Sequence, residues 1–422
     1  MNIQKILAGA CSLSLAAVSG VTAFAPTHFF TPYDYALAPA KAPKTTFHLG
    51  ASLEYGASSS ARDYEGHKQN VLHMYGATHD VYHMLPALEQ AKYTFALAPL
   101  ATSSDVTKIG MTGKFEQLDV SLRTHYQLPV NILNGQTYIS AYLPLRDAKI
   151  KNVAIQLPTL STTASAAEQS FFNDRTKDLA TFNQTISTYG LNLADTSQSG
   201  VGDAVVMLSW ARCFKQNKDG VKAVGLHLHG GVSLPTAKKL NADNPLSVAL
   251  GNEGAFGIPF GVGLDVMMKY SLAVGADVDF LALLDHTETY RMKTDLNQTD
   301  FLLPTKGRAE KDHGLTWKFN VYAQARHFYK GLSAKVVYQY VKHDSDVLYP
   351  RTNDFNSVIV NTAHSLKEWD AHAIVMHMGW DMWKAAKDMP AHPNLSLFCK
   401  LPVGGKRVLN PTTFGGQFGL NF

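Results

Sequence analysis

Residues 413–422 alternate strictly. Phe414, Phe418, Leu420 and Phe422 share one face with the small Gly416, and Thr413, Gly415, Gln417, Gly419 and Asn421 share the other. A two-residue period of this kind makes a strand with one apolar and one polar face. The pattern recurs along the chain. Phe47, Leu49, Ala51, Leu53 and Tyr55 oppose His48, Gly50, Ser52 and Glu54, and Leu118, Val120, Leu122 and Tyr126 oppose Asp119, Ser121, Arg123 and His125. Leu315, Trp317, Phe319, Val321 and Ala323 oppose Thr316, Lys318, Asn320, Tyr322 and Gln324. Leu332, Ala334, Val336, Tyr338 and Tyr340 oppose Ser333, Lys335 and Gln339. Alternation and turn signals together predict strands at 45–56, 113–128, 136–147, 203–214, 222–235, 258–271, 272–285, 313–328, 331–343, 367–381, 393–402 and 410–422. The strand at 203–214 is blurred, because Val205 and Met207 occupy its polar face.

The connections sharpen the picture. In order they span about 56, 7, 55, 7, 22, 0–2, 27, 2, 23, 11 and 7 residues, so long and short alternate until the last pair. Bacterial outer-membrane barrels combine an even strand number with short periplasmic turns and long extracellular loops. Their parity would put both chain ends on the periplasmic side. Phe47 and Tyr55 are eight residues apart, or ~27 Å at ~3.4 Å per residue. Tilted by ~40°, that spans ~21 Å, close to the ~25 Å apolar band that aromatic girdles bound. The expected fold is all-β: a transmembrane, antiparallel, up-and-down β-barrel of about twelve strands, with helical segments in the long loops.

Composition agrees and the amino-terminus adds a compartment. Of 422 residues, 45% are hydrophobic and 17% charged, and no apolar run is long enough for a spanning helix. A chain that crosses a bilayer without helices does so as a closed barrel, which alone satisfies its backbone. Lys5, the apolar stretch from Ile6 to Val18 and the small residues around Ala23 and Ala25 read as a secretory signal. Pro26 disfavours cleavage after Ala25, which leaves Ala23. The expected division is a signal peptide at 1–23, a periplasmic leader at 24–44 and the barrel at 45–422. Cys213 and Cys399, the cysteines beyond the signal, fall on strands far apart and read as unpaired. A net charge of +4 without a basic run argues against nucleic acid as a partner.

Two long connections carry helical signals. Ser165 followed by Glu168 is a capping box; Phe172, Leu179, Phe182, Ile186 and Tyr189 recur at helical spacing, and Gly190 stands at the C-cap. One amphipathic helix over 165–189 is expected, its stripe buried on the rim, in the lumen or on the outer leaflet. A shorter helix over 78–90 is interrupted by Pro86.

Candidate chemistry belongs to the inward face, since polar groups facing lipid are costly. Asp265, Asp277 and Asp279 share inward parity on neighbouring strands, and Lys269, Lys318, Arg326 and Lys335 point inward from these or later ones. Asp119, Arg123, Glu54, His227 and His229 lie across the barrel. Opposed acidic and basic walls would select permeants by charge, whereas a salt-bridged, filled interior would leave no path. His79 and His83 at helical i, i+4 spacing, and His227 with His229 on one strand face, are the metal-like pairs. Neither has a third ligand nearby in sequence, and a solvated loop helix and lumen polarity explain them. His343-Asp344-Ser345 at a strand end resembles the His and Ser pair of outer-membrane phospholipases but lacks their Asn-Gly context. No catalytic residue, metal or cofactor is assigned, and the chain reads as a non-enzyme.

The terminal strand, with Phe418, Leu420 and Phe422, resembles the assembly signal of bacterial outer-membrane barrels, although Gln417 replaces its usual Gly. Gly200-Val201-Gly202-Asp203 and Gly231-Val232-Ser233-Leu234-Pro235-Thr236 resemble a recurring pair in the outer-membrane barrels grouped with the phenol meta-pathway proteins, with Ala237 where a Gly usually follows. Residues 256–265 and 402–411 look like uncharacterised barrels of host-associated Gram-negative bacteria. These likenesses imply an outer-membrane channel or transporter for passive passage of small solutes, with outer-membrane lipid and the barrel-assembly machinery as partners. The alternative is a surface-exposed structural or adhesion barrel whose long loops bind a partner.

Overall fold

The computed structural model describes residues 33–34, 46–93, 105–216, 220–239, 241–382 and 391–422. The expected signal peptide and most of the leader lie outside them. Twelve strands form the barrel: β1 Phe47–Ser58, β2 Lys108–Ile132, β3 Gly135–Gln156, β4 Ala204–Lys215, β5 Val221–Leu234 and β6 Gly257–Met268, then β7 Leu272–Leu283, β8 Thr316–Tyr329, β9 Leu332–His343, β10 Trp369–Asp381, β11 His392–Lys406 and β12 Thr412–Asn421. Each is antiparallel to its chain neighbours, and β1 closes the ring on β12, with Leu53 opposite Gly416. The closed up-and-down barrel expected from alternation is present, strand for strand.

Its polarity is inverted relative to a water-soluble protein. Leu53, Val336 and Phe414 are more than half exposed on the outer face, and Val262, Leu264 and Val321 are exposed there too. Lys318, Asn320, Asp277, Asp279 and Lys335 are buried inside. Leaving each large apolar side chain in water forfeits ~1.5–3 kcal/mol, so such an exterior calls for an apolar surround.

At the turn end, β2 and β3 join through Leu133 and Asn134, both at positive φ. The pairing of Ile132 with Gly135 makes Leu133-Asn134 a two-residue turn. The Trp210 indole lies against Gly135, where no side chain fits, and its Nε1 donates to the Ile132 carbonyl at 2.7 Å.

The loop end is a folded cap. β2 and β3 outrun the predicted 113–128 and 136–147 there, and short strands Thr78–Asp80 and Thr196–Val201 pair onto them. On this extension the inward parity turns apolar: Ile109, Met111, Phe115, Ala148 and Ile150 are buried in a core with Leu72, Met84, Phe171, Phe182, Ile186, Leu250 and Phe301. Two three-stranded sheets complete the cap. The single helix expected over 165–189 is instead Ala166–Phe171, a π-helical turn Phe172–Thr176, and Leu179–Thr188. Its capping box forms, but Asp178 caps a second start by accepting from Thr181 N at 2.8 Å. Phe182 and Ile186 of the expected stripe enter the cap core beside Phe171, while Leu179 stays exposed, so the buried part of the stripe lies neither in the lumen nor on a leaflet. The segment 78–90 is a short strand followed by Val81–Met84 and Ala87–Gln90, divided at Pro86.

Candidate functional site: the barrel interior

Inward parity on β6 to β9 brings most of the expected polar residues together. Lys318 Nζ lies 3.0 Å from Asp279 and 3.2 Å from Asp34. Asp279 also meets His229 Nε2 at 2.8 Å. Asn320 donates to Asp277 at 2.7 Å and accepts from Gln339, which also donates to Asp34. Asp265 accepts from the Tyr322 hydroxyl at 2.6 Å and pairs with Arg326 at 3.2 Å, with His227 at 3.9 Å. Lys335 sits 4.9 Å from the centre of the Tyr322 ring.

Across the barrel, Asp119 pairs with Arg146 at 3.1 Å, Glu54 with Lys400 at 2.9 Å, and Arg123 donates to Gln417 at 3.0 Å. Most of these charges meet an opposite charge on a neighbouring strand or on Asp34, whereas Arg123 meets the amide of Gln417. Strand-order neighbours are 4.7–4.9 Å apart, which favours local pairing over a gap. Lys269 is a correction. β6 ends at Met268 after a register shift, and Lys269 lies exposed in the turn Lys269–Ser271.

Sequence reasoning missed Asp34 and Tyr33. These two described residues of the segment read as a periplasmic leader lie inside the barrel, the Tyr33 ring 6.4 Å from Tyr142 and beneath Lys318. It also missed Arg146, which inward parity from Tyr138 and Ser140 would have found.

The two glycine-bearing motifs clasp each other. Thr236 Oγ1 donates to the Gly202 carbonyl at 2.7 Å and accepts from Ala204 N, and Asp203 accepts from Ala237 N and Asn252 N. Arg146 donates to the Leu250 carbonyl at 2.6 Å. Residues 246–251 are thereby held, buried, over the barrel mouth. Tyr33 and the pair Gly251 and Asn252 line one small cavity of about 10 Å3, where the residues before β1 meet the loop over the mouth.

The other candidate chemistries separate. His79 lies in a strand and packs on Phe301, while His83 bonds Asp80 at 2.8 Å, so the i, i+4 helical pair is not formed. His227 and His229 stack 6.5 Å apart, each facing its own carboxylate. Ser345 Oγ accepts from Glu368 N, whereas His343 bonds Asp346 and Thr316, which breaks up the hydrolase-like pair. Among the described residues no group of three potential metal ligands gathers.

No protein-family model matches this sequence, and no curated protein matches it. The COG4313 outer membrane channel from Pseudomonas putida F1 is similar in structure over 93% of this chain and 100% of that one, with a TM-score of 0.54 and 11% identity. The fold is that of a bacterial outer-membrane β-barrel. The Pseudomonas putida toluene transporter TodX aligns over 96% of both chains with a TM-score of 0.32 and 8% identity. A Pseudomonas aeruginosa FadL homologue aligns over 89% of both with a TM-score of 0.26 and 9% identity, and neither of these two weaker overlaps bears on the argument. The likeness to the phenol meta-pathway barrels rests on the quoted residues alone.

Proposed function

We propose that this chain is a channel or transporter in the outer membrane of a Gram-negative bacterium, passing small solutes passively through its barrel. The observation that carries the reading is the inverted polarity: a closed ring with an apolar exterior and a hydrogen-bonded, charged interior. In this reading the outer face contacts lipid, the loop end faces outward, and the terminal strand with Phe418, Leu420 and Phe422 engages the assembly machinery. Asp119, Arg123, His227, His229, Asp265, Asp277, Asp279, Lys318, Arg326 and Lys335 belong to the solute path. In this reading conduction requires Tyr33–Asp34 or residues 246–252 to move aside.

Single-channel recording in a planar bilayer tests this. The full chain is expected to show brief, small openings, and Asp34→Ala longer or larger ones. Silence of both forms would remove the reading. The cap, with its own hydrophobic core, favours the second reading of a surface barrel whose loops bind a partner. That reading gains if both forms are silent yet the folded protein adheres to host-cell surfaces.

A further inference from the structure

Three loops meet at the barrel mouth around a compact group of buried side chains outside the lumen network. Lys311 Nζ bridges Glu253, from the loop 235–256, at 2.8 Å and Asp346, from the loop 344–368, at 2.9 Å. Lys311 itself stands on the loop 284–315, in the strand Lys306–Asp312. All three side chains are under a tenth exposed. Beside them the rings of His286 and His313 stack 5.2 Å apart and within 8° of parallel, joined by an N···N contact of 3.2 Å. The chain of contacts continues from His286 to the Tyr290 hydroxyl at 3.2 Å. On the other side, His313 Nδ1 is 4.0 Å from Asp346, which also meets His343 Nε2 at 3.0 Å and accepts from Gly314 N.

An N···N hydrogen bond between two imidazoles needs one ring to donate and the other to accept. It holds while at least one ring is neutral and fails when both are protonated. We propose that Lys311, bridging Glu253 and Asp346, clamps these three loops over the barrel mouth, and that the His286–His313 pair beside it, within the loop 284–315, makes this latch release in acid. As a gate it rests on the channel reading above, while its geometry stands independently.

The surroundings set the sign. Burial pushes the His286 imidazole below its ordinary value; Glu253 and Glu288 oppose that shift, and Lys311 and Lys239 add to it. Burial also pushes His313 far down, with Lys311, His286 and His343 lowering it and Asp346 raising it. The clamped form therefore resists protonation, and a released form with solvated rings takes up protons near the ordinary histidine value of ~6.5. Acid favours release, progressively below that value. Protonation of His286 or His313 would place further positive charge beside Lys311, which weakens its hold on Glu253 and Asp346.

The test reads loop separation rather than current. Spin labels on cysteines replacing the exposed Lys238 and Asn353, in a background lacking Cys213 and Cys399, report the distance between the loops 235–256 and 344–368. One short distance is expected at about pH 7.5, with a longer population growing reversibly toward about pH 5 while the β-sheet circular dichroism is unchanged. His286→Gln/His313→Gln keeps a neutral hydrogen-bonding pair and is expected to stay short throughout. Lys311→Met leaves Glu253 and Asp346 without their cation and is expected to show the longer population already at neutral pH. A pH-independent distance in the natural sequence overturns the latch, as does an acid response that survives in the double Gln variant. Acid release without any bilayer current leaves the latch standing and removes the channel reading.

Discussion

Asp34, which precedes the first strand, lies 3.2 Å from Nζ of Lys318 on β8, inside the barrel and on the same ammonium that Asp279 holds at 3.0 Å. One buried cation thus serves two carboxylates, Asp279 from the wall and Asp34 within the lumen. Removing the cation should therefore be worse than removing either acid. Lys318→Met strands both carboxylates and is expected to cost roughly 3–5 kcal/mol, read as a lowered urea midpoint in liposomes. Asp34→Asn leaves the Lys318–Asp279 pair intact, so it should unfold near the natural midpoint while conducting more. Equal midpoints for the two variants would show that the interior charges are not coupled as described.

The outer face makes a sharper demand. Val321 on β8 is 44% exposed, and its side chain leaves the barrel wall. Val321→Arg is expected to cost ~2–4 kcal/mol in a bilayer if this position is near mid-depth, whereas Val321→Leu should change little. An inward site does not guarantee tolerance. Gly275 shares the inward face of β7, yet a Cβ there would meet the Tyr322 hydroxyl at 2.5 Å and the Leu264 carbonyl at 2.6 Å. Gly275→Asp should consequently fail to fold well despite its favourable parity.

That contrast marks what alternation can reveal. Strand number, closure and the inward parity of Asp277, Asp279, Lys318 and Lys335 follow from a two-residue period, because each residue's face depends only on its neighbours in sequence. The cap and the lumen segment do not. Phe182 and Ile186 announce a buried stripe, but their partners, such as Met111 and Phe301, come from other elements. Asp34 carries no periodic signal at all, and its place is fixed by a cation far along the chain. Lys269 failed for a local reason: a register shift ends β6 before it, which parity counting cannot see.

Topology is open to chemical labelling. Asn241 and Asn353 lie at the loop end, and Asn134 lies in the β2–β3 turn at the other. Cysteines at the first two positions should react with an impermeant thiol reagent on intact cells. A cysteine at Asn134 should react only after the outer membrane is opened. Labelling of the Asn134 site on intact cells inverts the assigned orientation.

The part of the cap around His79 should weaken in acid. His79 is fully buried in the cap core, edge-on to Phe301 at 5.3 Å between ring centres. Burial pushes its pKa down to about 4, although Asp300 raises it in part. Unfolded, the same ring titrates near ~6.5, so between these values the unfolded cap binds more protons than the folded one. Cap stability is then whole above about pH 6.5 and falls by about 3 kcal/mol as pH drops to about 4. Hydrogen exchange of 71–85, corrected for its intrinsic pH dependence, should show that slope, and His79→Phe should flatten it. The loop latch titrates different residues, so its response should survive in that variant.

Arg291 offers the most direct test that the cap is one folded unit. Its side chain is 1% exposed and joins three connections. Nη2 donates to the Gly190 carbonyl at 2.7 Å, on the loop that carries the two helices. Nε donates to the Ala242 carbonyl, and Nη2 meets Asp243 at 2.9 Å, both on the loop that covers the mouth. Nη1 donates to the Leu303 and Pro304 carbonyls of its own loop at 2.9 Å each. A planar guanidinium satisfies these acceptors at once, which a lysine ammonium cannot do in the same geometry. Arg291→Met leaves several buried carbonyls without donors, and the cap is expected to lose roughly 3–5 kcal/mol. Arg291→Lys should recover only part of that loss. Exchange should quicken together in 179–191, 241–250 and 301–303, while amides of β7 to β10 stay protected. Quickening confined to one loop would mean that the three connections fold separately and that Arg291 does not bind them into a cap.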